Sequence, residues 1–262
     1  VYLPSKSIQL KPRIHLLGGF KAQQAHRVED PSLTIISGAS SQVSVSLEDR
    51  TPLKHVLFGA SDSMVERFTI ANGTATGKLM YQNHGGGMLN AQTKGLVLRQ
   101  LIFTHNQANR FGGAVFNLGA EVLIDQCRFL ENGAQSGGAL YNSSSEITIT
   151  DSTFEANQAS ESGGAVFNDD ATVVLIGSTF QGNQAVNGGA MYNHICTPNV
   201  QSCHFGQNTA SKNGGAIYNE NCTTDLHNCT FDGNIDAYGQ SFYQITPATP
   251  YSPAWQRSAR SR

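Results

Sequence analysis

FTHNQANRFGGAVFNLGAEVLIDQCRFLENGAQSGGALYN, residues 103–142, contains one pair of patterns twice. Phe-x-x-Asn stands at Phe103/Asn106 and again at Phe129/Asn132, and Gly-Gly-Ala-x-aromatic-Asn stands at 112–117 and 137–142. Working outward, the glycine pattern recurs as GGGMLN at 85–90, GGAVFN at 163–168, GGAMYN at 188–193 and GGAIYN at 214–219. The phenylalanine pattern continues at Phe154/Asn157, Phe180/Asn183, Phe205/Asn208 and Phe231/Asn234. Successive phenylalanines are 26, 25, 26, 25 and 26 residues apart, and the alternation resides in one turn, between each Phe and the next Gly-Gly. A decayed seventh copy, YGQSFYQ at 238–244, reads as a terminal coil losing its pattern.

A fixed period of this size marks a stacked repeat. Helical repeats are longer and need a 3.6-residue apolar period, and leucine-rich repeats need a leucine frame; neither is present. Apolar residues instead fall two apart in short runs, as at Val122/Ile124, Ile147/Ile149 and Val173/Leu175, each broken by Gly, Asn or Ser. That is strand spacing, and three strands plus three turns fill a coil of about 25 residues. The expected fold is all-β: a single right-handed parallel β-helix of roughly nine to ten coils. Residues 1–84 form irregular N-terminal coils, 85–244 the regular repeats, and 245–262 a proline-rich basic tail.

Stacking then dictates what each position does. Coils lie about 4.8 Å apart, so equivalent side chains form vertical columns, and residues that stack on themselves are favoured inside. Phe103, Phe129, Phe154, Phe180, Phe205 and Phe231 should make one aromatic stack. Asn106, Asn132, Asn157, Asn183, Asn208 and Asn234, and the motif asparagines from Asn90 to Asn219, should make two amide ladders at turns, where asparagine accepts left-handed backbone. The Gly-Gly pair should form a corner with no room for a Cβ.

GGA-[VILM]-[YF]-N coupled to Phe-x-x-Asn resembles the repeat of the polymorphic outer membrane proteins of chlamydiae and related bacterial surface proteins, over roughly residues 85–234. Earlier segments, IQLKPRIHLLGGF (8–20), LTIISG (33–38) and FTIANG (68–73), look like the degenerate coils that precede such repeats. The resemblance implies an extracellular or bacterial cell-surface β-helix used for adhesion or as a structural element. Autotransporter members also carry a C-terminal run of alternating strands, which this sequence lacks, so the chain reads as having no membrane anchor of its own.

Composition agrees with a stack. Charged residues are 14% of 262, against roughly 25% in ordinary soluble domains, while glycine reaches 27 and asparagine 20. A net charge of −2 supplies no basic field for nucleic acid or anionic lipid. No apolar run approaches the roughly 20 residues of a membrane-spanning helix. The start at VYLPSKS, without Met or a leader pattern, reads as a mature chain or an excised fragment.

Three candidate features follow. Phe116, Tyr141, Phe167, Tyr192 and Tyr218 form an aromatic column just before the motif asparagine. Two arrangements stay open: it faces out as a contact stripe for a surface glycan, a protein or another copy, or it points inward while the aliphatic faces out. Cys196 and Cys222, and Cys203 and Cys229, are each one coil apart, and Cys127 shares the second column with Ser152 and Ser178. They read as small core filler, as coil-to-coil disulfides, or as a zinc site with unusual spacing. Asn72, Asn142 and Asn228 match the glycosylation pattern by chance, Asn142 being committed to a ladder.

Catalysis is expected to be absent, with no cofactor and no metal. Asp169 and Asp170 meet only Leu118-Gly119, Ser143-Ser144 and His194-Ile195 above and below, so no acidic cluster is expected. His194, His204 and His227 fall at three angular positions, and His84 is isolated. The reading is a non-catalytic structural or adhesive protein, with self-assembly head to tail through open coil ends as one mode. A polysaccharide lyase or hydrolase, with a site hidden in residues 1–84, is the alternative.

Overall fold

A computed structural model describes residues 7–18, 31, 34–37, 55–78 and 81–245. The N-terminal VYLPSK and the tail 246–262 lie outside the described residues, as do parts of the early segments, including Gly19, Phe20, Leu33 and Gly38. Parallel strands stack with each coil directly over the last. One coil runs Val115–Leu118, Glu121–Asp125, Arg128–Leu130 and Gly133–Ser136, and each strand pairs with its equivalent in the next coil. Four strands form per coil, where the sequence predicts three. The fourth, polar and short, has an irregular register between Ala134 and Ser136, which hides its period-two pattern.

Among the described residues the four sheets hold nine, eight, eight and six strands. Only six turns therefore carry a strand in every sheet, and the expected nine to ten coils becomes about six complete turns. Among the described residues the other rungs show fewer strands: Ile8–Gln9, His15–Leu17 and Ile35–Ser37 in the first, Ile217–Glu220, Asp225–His227 and Thr230–Asp232 in the one after the complete turns, and Phe242–Ile245 beyond it.

Register places the repeat letters in columns. Phe103, Phe129, Phe154, Phe180 and Phe205 are fully buried, and with Phe231 their rings stack at 4.6–5.1 Å with planes within 11°. Burying such a ring stabilises by about 1.5–3 kcal/mol, with about 0.5–1.5 more from the ring pair. Val115, Leu140, Val166, Met191 and Ile217 face the same interior.

The asparagines are buried as well, but they do not form the corners. Asn90, Asn117, Asn142, Asn168, Asn193 and Asn219 sit within strands, each Nδ2 donating to the next Oδ1 at 2.7–2.8 Å. In the other ladder each Oδ1 from Asn132 to Asn234 accepts twice from the coil before it: Asn157 Oδ1 takes the backbone N–H and Nδ2 of Asn132, both at 3.0 Å. Asn157 Nδ2 in turn reaches Phe129 O at 2.9 Å and Asn183 Oδ1 at 3.0 Å. One side chain thus spans three coils.

Left-handed backbone falls on other residues, at four corners per turn. One corner passes through Gly112, Gly137, Gly163, Gly188 and Gly214, where a Cβ at Gly137 would lie 2.2 Å from Leu140 O. The corner before the Phe-x-x-Asn asparagine is taken by His105, Glu131, Ala156, Gly182, Gln207 and Gly233, with φ between 52° and 63°. Side chains point outward there, so the corner tolerates any residue that accepts the backbone strain. The amides were needed inside, where buried backbone and amide groups must be paired.

Candidate functional site

Strand alternation decides what the first sheet shows to solvent. Val115 and its equivalents point in, so Phe116, Tyr141, Phe167, Tyr192 and Tyr218 point out, with Tyr243 above them. Their rings stack at 4.7 Å from Tyr141 to Tyr218 and at 5.2 Å onto Tyr243. Stacking covers the ring faces, and Phe116, Tyr141, Tyr192 and Tyr218 keep 4–8% exposure. The column therefore leaves only ring edges at the surface, and not open ring faces.

The foot of the column is closed by His84, whose ring stacks on Phe111 at 4.8 Å and on Phe116 at 4.7 Å. His84 is thus part of an aromatic cluster and not isolated. Burial, then Arg110 and His55 nearby, push its pKa down to about 4, and its buried Nδ1 has no hydrogen-bond partner.

One position beyond each motif asparagine, the next outward column reads Leu118, Ser143, Asp169, His194, Glu220 and Ile245. His194 Nδ1 donates to Asp169 Oδ1 at 2.8 Å. Tyr192 makes a short hydrogen bond to Glu220, and Tyr141 lies beside Asp169. Burial first, and these carboxylates second, hold both phenols well above their usual pKa. The sequence places Asp169 in a column with Leu118, Ser143 and His194, and Glu220 lies one rung beyond His194 in the same column. Glu220 completes a set with Asp169 and His194, and His194 belongs to it. The position changes identity at every coil, so no repeated letter marks it in the sequence.

With the Tyr192 hydroxyl donating to Glu220 and the His194 imidazole to Asp169, the remaining lone pairs of the two carboxylates are open as acceptors. Asp169 and His194 are about a third exposed. The two carboxylates stand two rungs apart, about 9.6 Å along the axis. Such a face accepts cationic groups or paired hydroxyls.

The five cysteines are free thiols, and neither Cys196–Cys222 nor Cys203–Cys229 is a disulfide. In-register parallel neighbours share one side-chain direction, so each sulfur points to a carbonyl of the preceding coil: Cys222 to Asn193 O at 3.3 Å and Cys229 to Val200 O at 3.5 Å. Burial raises Cys127 to about 12 and Cys203 to about 11, whereas Cys222 is pulled down by the hydrogen bond from Cys196. Among the described residues no group of three or more His, Cys, Asp or Glu side chains is placed to hold a metal ion. Asn142 lies fully buried in its ladder, whereas Asn72 and Asn228 take left-handed corners.

Comparison with known proteins finds a family model, described as the right handed beta helix region, that matches residues 54–247. A protein of Escherichia coli (strain K12) named probable autotransporter YfaL is 31% identical over 97 residues, covering 34% of this chain and 8% of that protein. The matched stretch therefore spans less than a tenth of that relative's length. No solved structure matches.

Proposed function

The chain belongs to the right-handed β-helix family, and from that premise we propose that it is an extracellular or bacterial cell-surface β-helix with an adhesive or structural role and no catalysis. The observation that carries this reading is the outward face of the first sheet. A rigid, ladder-braced stack presents a column of tyrosine edges beside Asp169, His194 and Glu220, suited to contact and held by its own hydrogen bonds. The similarity to a protein named probable autotransporter supports a surface location. So does the resemblance of the GGA-x-aromatic-Asn and Phe-x-x-Asn repeats to the polymorphic outer membrane proteins. Partners are a surface glycan or protein, or further copies joined head to tail through terminal rungs.

Binding of the purified chain to arrays of matrix glycans and proteins tests the adhesive role. Tyr192→Ala removes a ring edge and the hydroxyl that holds Glu220, so binding is expected to fall at least tenfold with the circular dichroism spectrum unchanged. Undiminished binding by both Tyr141→Ala and Tyr192→Ala would remove this face from the proposal. Electron microscopy tests the head-to-tail mode, with filaments expected and isolated rods at high concentration opposing it.

One observation favours a polysaccharide-acting enzyme as a second reading. Asp169 and Glu220, about 9.6 Å apart along the axis, approach the roughly 6.5–9.5 Å spacing of inverting glycoside hydrolases. Depolymerisation of an acidic polysaccharide, abolished by Glu220→Gln, would establish it; inactivity across a polysaccharide panel would retire it.

A further inference from the structure

We infer that Cys196 with Cys222, and Cys203 with Cys229, are two-thiolate sites for copper(I), each holding one ion in line between two successive rungs. Register, side-chain direction and the backbone around each sulfur carry this.

Both pairs are in register. His194 pairs with Glu220, the corner residues Ile195 and Asn221 both take left-handed backbone, and Cys196 and Cys222 follow them. Gln201 pairs with His227, Ser202 and Asn228 take the next left-handed corner, and Cys203 and Cys229 follow, with His204 on Thr230 beyond. In earlier coils the residue after the same corner is Ala120, Ser145 or Ala171 in one column, and Leu101, Cys127, Ser152 or Ser178 in the other. Cysteine thus enters both columns in the same two coils, whereas Cys127 stands between Leu101 and Ser152 with no thiol on either side.

Each sulfur repeats its partner's contact one rung on. Cys203 Sγ donates to Leu175 O at 3.7 Å and Cys229 Sγ to Val200 O at 3.5 Å, and Leu175 and Val200 are register partners. Cys196 Sγ donates to Asn168 O at 3.9 Å and Cys222 Sγ to Asn193 O at 3.3 Å, again register partners. Two thiols related by the translation of one rung stand about 4.8 Å apart. A disulfide needs its sulfurs at about 2.05 Å, far short of that separation. Two metal–thiolate bonds of about 2.3 Å laid end to end span about 4.6 Å and match it.

Two thiolates in line suit a soft, closed-shell monovalent ion and not zinc, which takes four ligands. Among the described residues no third His, Cys, Asp or Glu completes either pair. Binding needs no oxidant: two thiols release two protons, two sulfur–copper bonds form, and the bridge keeps one negative charge. The columns are built to receive it. Their side-chain oxygens accept the backbone N–H of the preceding rung, Ser145 from Ala120 and Ser152 from Cys127, both at 3.0 Å. A thiolate at Cys222 or Cys229 occupies the equivalent place toward the N–H of Cys196 or Cys203, and such charge-assisted bonds are the strong ones. Cys196, Cys203 and Cys222 are buried, and Cys229 is half-buried. Its flanking strands, Asp225–His227 and Thr230–Asp232, are the last of their sheets among the described residues, which gives an ion its way in. Neither site uses the outward face of the first sheet, so binding to glycan and protein arrays tests a separate reading.

Anaerobic titration of the fully reduced chain with copper(I), in competition with a colorimetric copper(I) chelator, tests it together with X-ray absorption spectroscopy of the loaded chain. Two ions per chain are expected, each with two sulfur neighbours in line, and their binding should release protons. Cys222→Ser alone and Cys229→Ser alone should each leave one ion, and the two together none. Serine already stands in these columns at Ser145, Ser152 and Ser178, so the circular dichroism spectrum of each variant should match that of the parent chain. Cys127→Ser should still bind two ions. Loss of an ion in Cys127→Ser overturns the inference, as does retention of both in Cys222→Ser with Cys229→Ser. An ion shared between two chains, a four-coordinate ion, or surrender of all copper to the competitor overturns it too. If either pair in the air-exposed chain resists alkylation until reductant is added, its sulfurs meet directly as a disulfide and the site falls at that pair.

Discussion

At Asn157 one amide serves three coils, and its removal exposes how the ladder works. Truncation to alanine leaves the backbone N–H and Nδ2 of Asn132 without that acceptor and Phe129 O without its donor, all in a site with no solvent. Each orphaned buried group costs about 1–3 kcal/mol, so Asn157→Ala should destabilise by at least about 3 kcal/mol. Asn109→Ala, at an exposed position, should stay within about 0.5 kcal/mol in the same urea titration. Glycines divide by the same local logic. Gly182 has φ +63° and nothing within 4 Å of a built Cβ, and Ala156 already occupies the equivalent corner. Gly182→Ala should therefore cost only the left-handed penalty, about 1–2 kcal/mol. At Gly137 the same change drives a methyl to 2.2 Å from Leu140 O, and the variant should lose several-fold more stability or fail to fold. His84 adds a pH dependence. Its folded pKa, about 4, lies below the ordinary 6.5, so between those values the unfolded chain binds more protons. Stability should fall as pH drops from 6.5 toward 4, by up to about 1.4 kcal/mol per pH unit from this group. His84→Phe, which keeps a ring between Phe111 and Phe116, should flatten that slope in urea midpoints measured at pH 7, 6 and 5.

Among elements, what could be read from the letters alone was what stacks on itself. The Phe and Asn columns are legible because a 4.8 Å rung forces identical side chains into contact, so the same residue returns in every coil. The fourth strand was invisible, since Gln158–Ser162 and its equivalents repeat polar residues with one buried alanine and a shifting register. Glu220, one rung beyond His194 in the Asp169 column, was missed for the opposite reason to the one that made Phe154 visible. Nothing there stacks on a copy of itself, so its content is found by adding one to the motif asparagine and reading across every coil. The aromatic column was legible as a column but not as a face, because only the position of Val115 and its equivalents in the core fixes the direction of Phe116. Between sheets, Phe154→Ala opens a void between Phe129 and Phe180 and interrupts both stacks. It should cost about 3–5 kcal/mol in chemical denaturation, at the upper range for a core phenylalanine, since the flanking rings are held by their own rungs and cannot collapse inward.

For the molecule as a whole, each coil touches only the coils above and below, so stability is nearly a sum of coil terms and neighbour terms along one axis. Central coils have two complete neighbours, four paired strands and unbroken ladders. The ends differ: the second Asn ladder stops at Asn90 on one side, where Gly59 offers no amide, and its last Nδ2, on Asn219, has no partner. Among the described residues the last rung is the strand Phe242–Ile245, half-buried to exposed, and Phe231 and Leu226 below it are only partly covered. Opening should therefore begin at the termini and propagate inward, as a linear stack permits and a globular core does not. Native-state hydrogen exchange should show the slowest amides in the coils carrying Phe129, Phe154 and Phe180. Rates should rise stepwise toward Leu57–Phe58 at one end and Phe242–Ile245 at the other. Asn157→Ala should then do more than lower the plateau: by weakening the central interface it should let the two flanks exchange with separate denaturant dependences. A single uniform exchange free energy across all coils, in both the parent chain and this variant, would show that the stack opens all at once and that the ladders couple coils well beyond their nearest neighbours.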